Sequence, residues 1–223
     1  MKAMILAAGR GERLRPLTDK TPKPLIQAGQ FRLIEYHLFN LKKAGFNDII
    51  INVAWLGQQI IDTLGDGHRY DLRIQYSNEN NQALETGGGI FNALPLLGEQ
   101  FLVVNGDVWT DYPFENLLDI NLSKSVDQAH LVLVNNPEHN PSGDFFLRQN
   151  RLTQQGTHTF TYSGIGVYRA SFFKHCQPQA FPLAPLIRQY IADDKISAER
   201  YTGAWHDIGT LERLQSCIKK QAL

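Results

Sequence analysis

Residues Met4–Leu25 read MILAAGRGERLRPLTDKTPKPL, and the fold turns on how this stretch is parsed. A short apolar run breaks at Gly9-Arg10-Gly11, and basic residues and prolines follow within a few positions. A glycine loop after a strand lets the backbone turn tightly and present N–H groups to an anion. It serves equally well as a plain tight turn. A dinucleotide fingerprint would need a third glycine where Leu14 stands, and no Gly-Lys-Ser/Thr follows as a mononucleotide loop requires. Arg10, Arg13 and Arg15 crowd the loop, and Lys23 is braced between Pro22 and Pro24 on a stiffened segment. Cations beside a donor-rich loop suit a polyphosphate better than a single phosphate. The bland alternative is a basic solvated surface.

Working outward, apolar β-branched runs at Ala3–Leu6, Asp48–Ala54, Leu72–Ser77, Phe101–Asp107 and His130–Asn135 predict buried strands. Helical spacing falls between them. Ile34, Leu38, Leu41 and Ala44 recur at three or four residues before Gly45, Ile60, Ile61 and Leu64 precede Gly65, and Phe91, Ala93 and Leu94 precede Pro95. Alternating strands and helices predict an α/β fold with a mostly parallel sheet and helices on both faces. Ligands then bind beyond the carboxyl ends of the strands, which puts the Gly9 loop and Asp107 on one edge. After Asn135 the rhythm changes. Turn signals and the alternating strand Thr159–Tyr168 predict a small antiparallel excursion layered on the sheet, and helices return at Leu183–Ala192 and Thr210–Ala222. No repeat or low-complexity linker interrupts the chain, so residues 1–223 are expected to form a single domain.

With 22 Lys+Arg against 22 Asp+Glu, the charges balance in the 223 residues, which argues against a broad basic surface for nucleic acid or anionic membrane. Cys176 and Cys217 are far apart and form no CxxC pair, so a reduced, cytoplasmic setting is expected. The opening run MKAMILAAG is too short for a signal peptide, and no stretch approaches the ~20 apolar residues of a membrane span.

Two aspartates stand in unusual company: Asp107 ends the strand VVNGD, and Asp207 sits in AWHDIGT. Paired carboxylates at a phosphate site are what Mg²⁺ requires, although an aspartate at a strand end is often a turn or cap residue. His206 beside Asp207 falls in no metal spacing, and Ser163 in YSGIG lacks the Gly-x-Ser-x-Gly pattern of a hydrolase nucleophile.

These residues together resemble the sugar-1-phosphate nucleotidyltransferase family. LAAGRGERLRPLTDKTPKPL follows that family's opening signature across about twenty positions, and VVNGDV and WHDIGT resemble its two later metal-binding segments in the expected order. One departure follows the signature, where Phe31-Arg32 replaces a usual proline. The resemblance implies a Rossmann-like three-layer sandwich of the nucleotide-diphospho-sugar transferase (GT-A-like) kind. Residues 1–135 would form its nucleotide-binding part, and 136–223 its sugar-binding part and closing helix. ALETGGGI (Ala83–Ile90) and the short length make the chain most similar to the branch that joins UTP to N-acetylmuramate α-1-phosphate.

The resemblance further implies roles for matching positions. Lys23, Arg13 and Asp107 would be catalytic. Ala8, Gly9, Arg10, Gly11, Glu12 and Arg13 would bind nucleotide phosphates together with Lys23, and Asn80, Ala83 and Gly88 would form the base pocket. Asn105, Gly143, Tyr162 and Ser163 would contact the sugar, and Asp107 and Asp207 would hold Mg²⁺. The implied partners are UTP and a sugar 1-phosphate, with no nucleic acid or membrane, and the missing C-terminal extension implies a monomer. Arg148, Arg151 and Arg169 are candidates to meet the lactyl carboxylate of an N-acetylmuramate group. The readings in competition are another sugar 1-phosphate or NTP, a non-catalytic nucleotide-sugar-binding module, and a dinucleotide oxidoreductase.

Overall fold

The computed structural model describes residues 1–80 and 83–221. The first half runs β1 (Lys2–Leu6), β2 (Gln27–Ala28), β3 (Phe31–Arg32), α1 (Leu33–Lys43), β4 (Asp48–Val53), α2 (Gly57–Leu64), β5 (Arg73–Asn78) and α3 (Glu85–Ala93). Next come β6 (Gln100–Asn105), β7 (Val108–Thr110), β8 (Ala129–Val134), β9 (Phe145–Arg148), β10 (Arg151–Thr153) and β11 (Thr159–Arg169). The chain closes with α4 (Leu183–Ala192), β12 (Ile196–Arg200), β13 (Trp205–Asp207) and α5 (Leu211–Gln221). Ala222, the predicted end of the last helix, lies outside the described residues.

The central sheet has nine strands in the order β5-β4-β1-β6-β11-β8-β12-β10-β9 among the described residues. Its β5-β4-β1-β6 half is parallel throughout, as the strand–helix alternation predicts. The period-two pattern splits its side chains between two helical layers. Ala3, Ile5, Ile49, Ile51, Leu102 and Val104 pack beneath Ile34, Leu38 and Leu41 of α1 and Ile60 of α2. Met4, Ile50, Phe101 and Val103 face Ile90 of α3 and Leu183 and Ile187 of α4 on the other side. These strands are buried on both faces, and truncating one such side chain, for instance Ile50→Ala, costs about 2–5 kcal/mol.

The sequence reading needs one correction. Thr159–Arg169 is not layered on the sheet but inserted within it, antiparallel to β6 on one side and to β8 on the other. Gly166 leaves room for the side chain opposite it in β8: a Cβ there would stand 2.7 Å from Leu131. The antiparallel excursion proper is the β9–β10 hairpin, in which β10 pairs with β12 and β9 turns back to pair with the start of β11. The departure at Phe31-Arg32 forms half of a short β2–β3 hairpin that turns at Gly29, whose φ is 76°. Finally, Leu214 and Cys217 of α5 pack on Leu14, Ile26 and Leu33, so the closing helix returns to cover the signature segment.

Candidate active site

The carboxyl ends of β1, β4, β5 and β6 open onto a cleft of about 220 Å³. Its lining includes Ala7, Ala8 and Gly9 after β1, Asn52 in β4, Glu79 after β5, and Ala83, Glu85 and Thr86 around the start of α3. Asn105, Gly106 and Asp107 after β6, with Lys23 and Pro24, complete it.

The signature segment builds the floor of this cleft. Gly11 takes φ 68°, and a Cβ there would stand 2.9 Å from Thr18 and 3.1 Å from Lys23, so both its conformation and its contacts require glycine. Thr18 fixes the turn by donating from Oγ1 to the Gly11 carbonyl at 2.9 Å. Gly9 differs: a Cβ there would meet nothing within 4 Å. Its bareness therefore leaves room in the cleft rather than serving the fold. Between its prolines Lys23 is 9% exposed, and its Nζ donates to Asp107 Oδ2 at 2.7 Å. Arg10 lies over the Trp55 ring, 3.8 Å from its centroid, outside the cleft lining, and Arg13 and Glu12 are exposed on the turn that follows.

The two aspartates come together through the β7–β13 ladder. Asp207 pairs with Val108, the residue after Asp107, and the Ile208 N–H donates to the Asp107 carbonyl at 2.8 Å. Asp207 Oδ2 accepts from Arg213 at 2.6 Å and lies 3.2 Å from His139 Nε2. Its Oδ1 is buried with no hydrogen-bond partner. The two residues are neighbours through the backbone, and Asp107 alone of them lines the cleft. A carboxylate with an orphaned oxygen is a donor of the kind a hard divalent cation takes beside phosphate and water. Among the described residues no cluster of three or more His, Cys, Asp or Glu side chains forms a metal site.

The other expected residues divide. Ala83 and Asn105 line the cleft. Gly164, at φ 81°, presses on Asn105, where a Cβ would stand 2.6 Å from Asn105 Nδ2. Ser163 shapes the irregularity in β11 at this point, donating to the Val132 carbonyl at 2.7 Å and accepting from Ile165 N–H, while its own carbonyl accepts from Trp205 Nε1. The Tyr162 hydroxyl turns into the core to meet that of Tyr168 at 2.9 Å. Gly143, at φ 61°, backs onto Asn136 and Thr159 in the loop that carries His139 to Asp207. Gly88 faces protein rather than cleft, since a Cβ there would stand 2.5 Å from the Gln179 carbonyl. Asn80, exposed at φ 49°, is not in the cleft lining. Of the arginine candidates, Arg151 is held by Asp127 and Asp194, and Arg169 sits at the opposite end of the sheet. Arg148 is exposed at the end of β9.

Sequence reasoning missed Asn52 and Glu79. Asn52 accepts the Ala7 N–H at 2.7 Å and donates to Glu79 Oε1 at 2.7 Å, and Glu79 Oε2 accepts the Leu84 N–H at 2.9 Å. These hydrogen bonds tie the Gly9 loop to the segment entering α3. Glu79 is only 4% exposed, and burial raises its carboxyl above the usual range, against the two hydrogen bonds that lower it. Gly89 belongs to the same construction: a Cβ would stand 2.6 Å from Glu79 Oε1.

A doubly layered sheet with a cation–carboxylate pair beside a bare glycine loop defines a class of protein, and the comparisons agree with it. The family model for nucleotidyl transferases matches residues 2–145, and the chain belongs to that family. More particularly, it is 50% identical to the N-acetylmuramate alpha-1-phosphate uridylyltransferase of Neisseria meningitidis, with 96% of each chain covered. It is 30% identical to the Caulobacter vibrioides protein of the same name, over 93% of this chain and 91% of that one. In fold it matches a candidate glucose-1-phosphate thymidylyltransferase from Bacillus anthracis, crystallised with sucrose, at a TM-score of 0.86 and 20% identity, covering 99% and 94% of the two chains. No helix among the described residues is long and apolar enough to cross a membrane.

Proposed function

We propose that this chain transfers the uridylyl group of UTP to N-acetylmuramate α-1-phosphate, giving UDP-N-acetylmuramate and pyrophosphate, with Mg²⁺ as cofactor. The observation that carries the reading is the pair of buried Lys23 and half-buried Asp107 beside the Gly9 loop, in a chain 50% identical to an enzyme of that name. An oxygen of the sugar phosphate attacks the α-phosphorus opposite the departing pyrophosphate. That oxygen is already anionic at neutral pH, so no general base is required. The barrier is electrostatic, and catalysis rests on positioning and charge stabilisation.

Lys23 supplies the cation at the α-phosphate and the incoming sugar phosphate. Its prolines and its burial fix it there before substrate arrives. Backbone N–H groups from Gly9 to Gly11, with Arg13, steady the leaving pyrophosphate. Asp107 and Asp207 would hold Mg²⁺, which when bound neutralises charge on the α-phosphate. The Asn52–Glu79 relay keeps the loops on either side of the nucleotide in register. The chain acts as a single domain and as a monomer in the cytoplasm, with residues 1–135 holding the nucleotide and 136–223 the sugar. Incubation with UTP, N-acetylmuramate α-1-phosphate and Mg²⁺, followed by mass spectrometry, tests the reading. The expected product is UDP-N-acetylmuramate with an equal amount of pyrophosphate, abolished by EDTA. Absence of that product from active, folded protein would refute it.

A further inference from the structure

Seven non-glycine residues among those described have a positive φ, and of these Glu85 alone lines the cleft. Its φ is 57°, a left-handed conformation in which the Cβ of an L-residue is crowded and for which glycine is the default. Such strain persists only where the surroundings over-determine it, and it concentrates at functional sites. Here the surroundings do so on both sides. The Leu84 N–H is held by buried Glu79 at 2.9 Å, and the Leu84 carbonyl accepts from Phe181 N–H at 3.2 Å. Gly87 and Gly88 N–H both donate to the Phe181 carbonyl, at 3.0 and 3.1 Å. Glu85 is thus pinned in the strained state by its neighbours, while its own side chain is exposed. Among the described residues that carboxylate enters no ion pair and no hydrogen bond. The one service it gives the fold is a negative charge in the first turn of α3, worth only about 0.3–1 kcal/mol at an exposed position.

We propose that the Glu85 carboxylate is a specificity determinant for the nucleoside, accepting a hydrogen bond from an N–H or O–H donor on the nucleoside half of the substrate. This rests on the proposed uridylyl transfer. The cleft runs along the sheet order, from Glu79 and Glu85 beside β5, through the Gly9 loop after β1, to Lys23 and Asp107 beside β6. The cation lies at the β6 end, so the phosphates belong there. A carboxylate at the other end repels phosphate and serves only a donor. Two donors of a uridine nucleotide qualify: the imide N3–H of the base, and the ribose hydroxyls.

The experiment compares the parent enzyme with Glu85→Gly and Glu85→Gln, using UTP, CTP, dUTP and 3′-deoxyuridine triphosphate with N-acetylmuramate α-1-phosphate. Cytosine has an acceptor where uracil has its imide N–H, and the two deoxy analogues lack the 2′- and the 3′-hydroxyl respectively, so the three analogues separate the donors. Glu85→Gly is expected to melt no lower than the parent, because glycine relieves the strain. Its KM for UTP should rise roughly 10- to 100-fold, the range for losing a hydrogen bond to a charged group, with kcat changed less. The parent's preference for UTP over whichever analogue lacks the recognised donor should shrink by a similar factor. Glu85→Gln, which keeps an acceptor oxygen without the charge, should fall between. Parental KM and parental preferences in Glu85→Gly would overturn the proposal. So would a melting temperature several degrees lower, which would make Glu85 a structural residue. A parent that ignores UTP refutes the function reading instead, and the same comparison with the nucleotide it does use then decides Glu85.

Discussion

Acidification from pH 7 to pH 5 is expected to destabilise the fold by about 2 kcal/mol through His37 alone. This imidazole lies in α1 and is 2% exposed, with Nε2 lacking any hydrogen-bond partner. Burial pushes it down from 6.5 to about 4, against the opposing pull of the Val108 and Asn105 backbone and the Asp107 charge. Between those two values the unfolded chain binds a proton that the folded chain refuses, so stability falls as pH falls. Down to pH 5 the unfolded imidazole is almost fully protonated and the folded one about one-tenth protonated, which gives RT ln of roughly 30, or about 2 kcal/mol. Near pH 4 and below, the loss approaches about 3 kcal/mol. The assay is urea unfolding at pH 7 and pH 5, without divalent cation, for the parent and for His37→Gln, which keeps an N–H donor but does not titrate. Carboxylates titrate alike in both, so the difference between the two pH effects isolates His37. At an m-value of about 2–3 kcal/mol/M, the parent's midpoint should drop about 0.7–1 M more than the variant's. Parallel pH effects, agreeing within about 0.5 kcal/mol, would refute the reasoning and mean that the folded site accepts the proton.

Other outcomes follow from the cleft. Lys23→Ala should lower kcat ~100- to 1,000-fold, as loss of a preorganised charge-stabilising group does, with circular dichroism checking that the fold survives. Asp207→Asn should raise the Mg²⁺ concentration needed for half-maximal activity by roughly 10-fold or more, and should weaken Mg²⁺ binding measured by calorimetry. Gly9→Ala should melt within about 1 °C of the parent, since its Cβ meets nothing, yet raise the KM for nucleotide. Gly11→Ala, at φ 68° against Thr18 and Lys23, should instead lose several degrees of melting temperature.

Much of this arrangement was readable before any coordinates. Runs such as Ile49–Ile51 and Phe101–Val104 are apolar over consecutive residues because both faces are covered, and they announced parallel strands to within a residue or two. The strand at Thr159–Tyr168 was readable as a strand but not in its place, because alternation does not say which neighbours a strand pairs with. Gly164 and Gly166 carry no side chain to mark two buried faces. Lys23 and Asp107 stood out through their prolines and strand end. Asn52 and Glu79 did not: one polar residue ending an apolar run resembles any turn residue, and Glu79 is hidden in the polar stretch SNENNQ. The glycines of ETGGGI signalled a close backbone approach, but sequence cannot say to what. At Gly87 and Gly88 the partner is the chain's own segment at Gln179–Phe181.

The central claim is that the Lys23–Asp107 cleft moves a uridylyl group onto one particular sugar phosphate. Its most direct test is kcat/KM, followed by pyrophosphate release, for each of UTP, dTTP, CTP and GTP against the 1-phosphates of N-acetylmuramate, N-acetylglucosamine, glucose and mannose. The account predicts that UTP with N-acetylmuramate α-1-phosphate exceeds every other pair by at least about 10-fold, the discrimination expected of a small number of polar contacts. A higher value for any other pair, or no pyrophosphate from any of them, would contradict it.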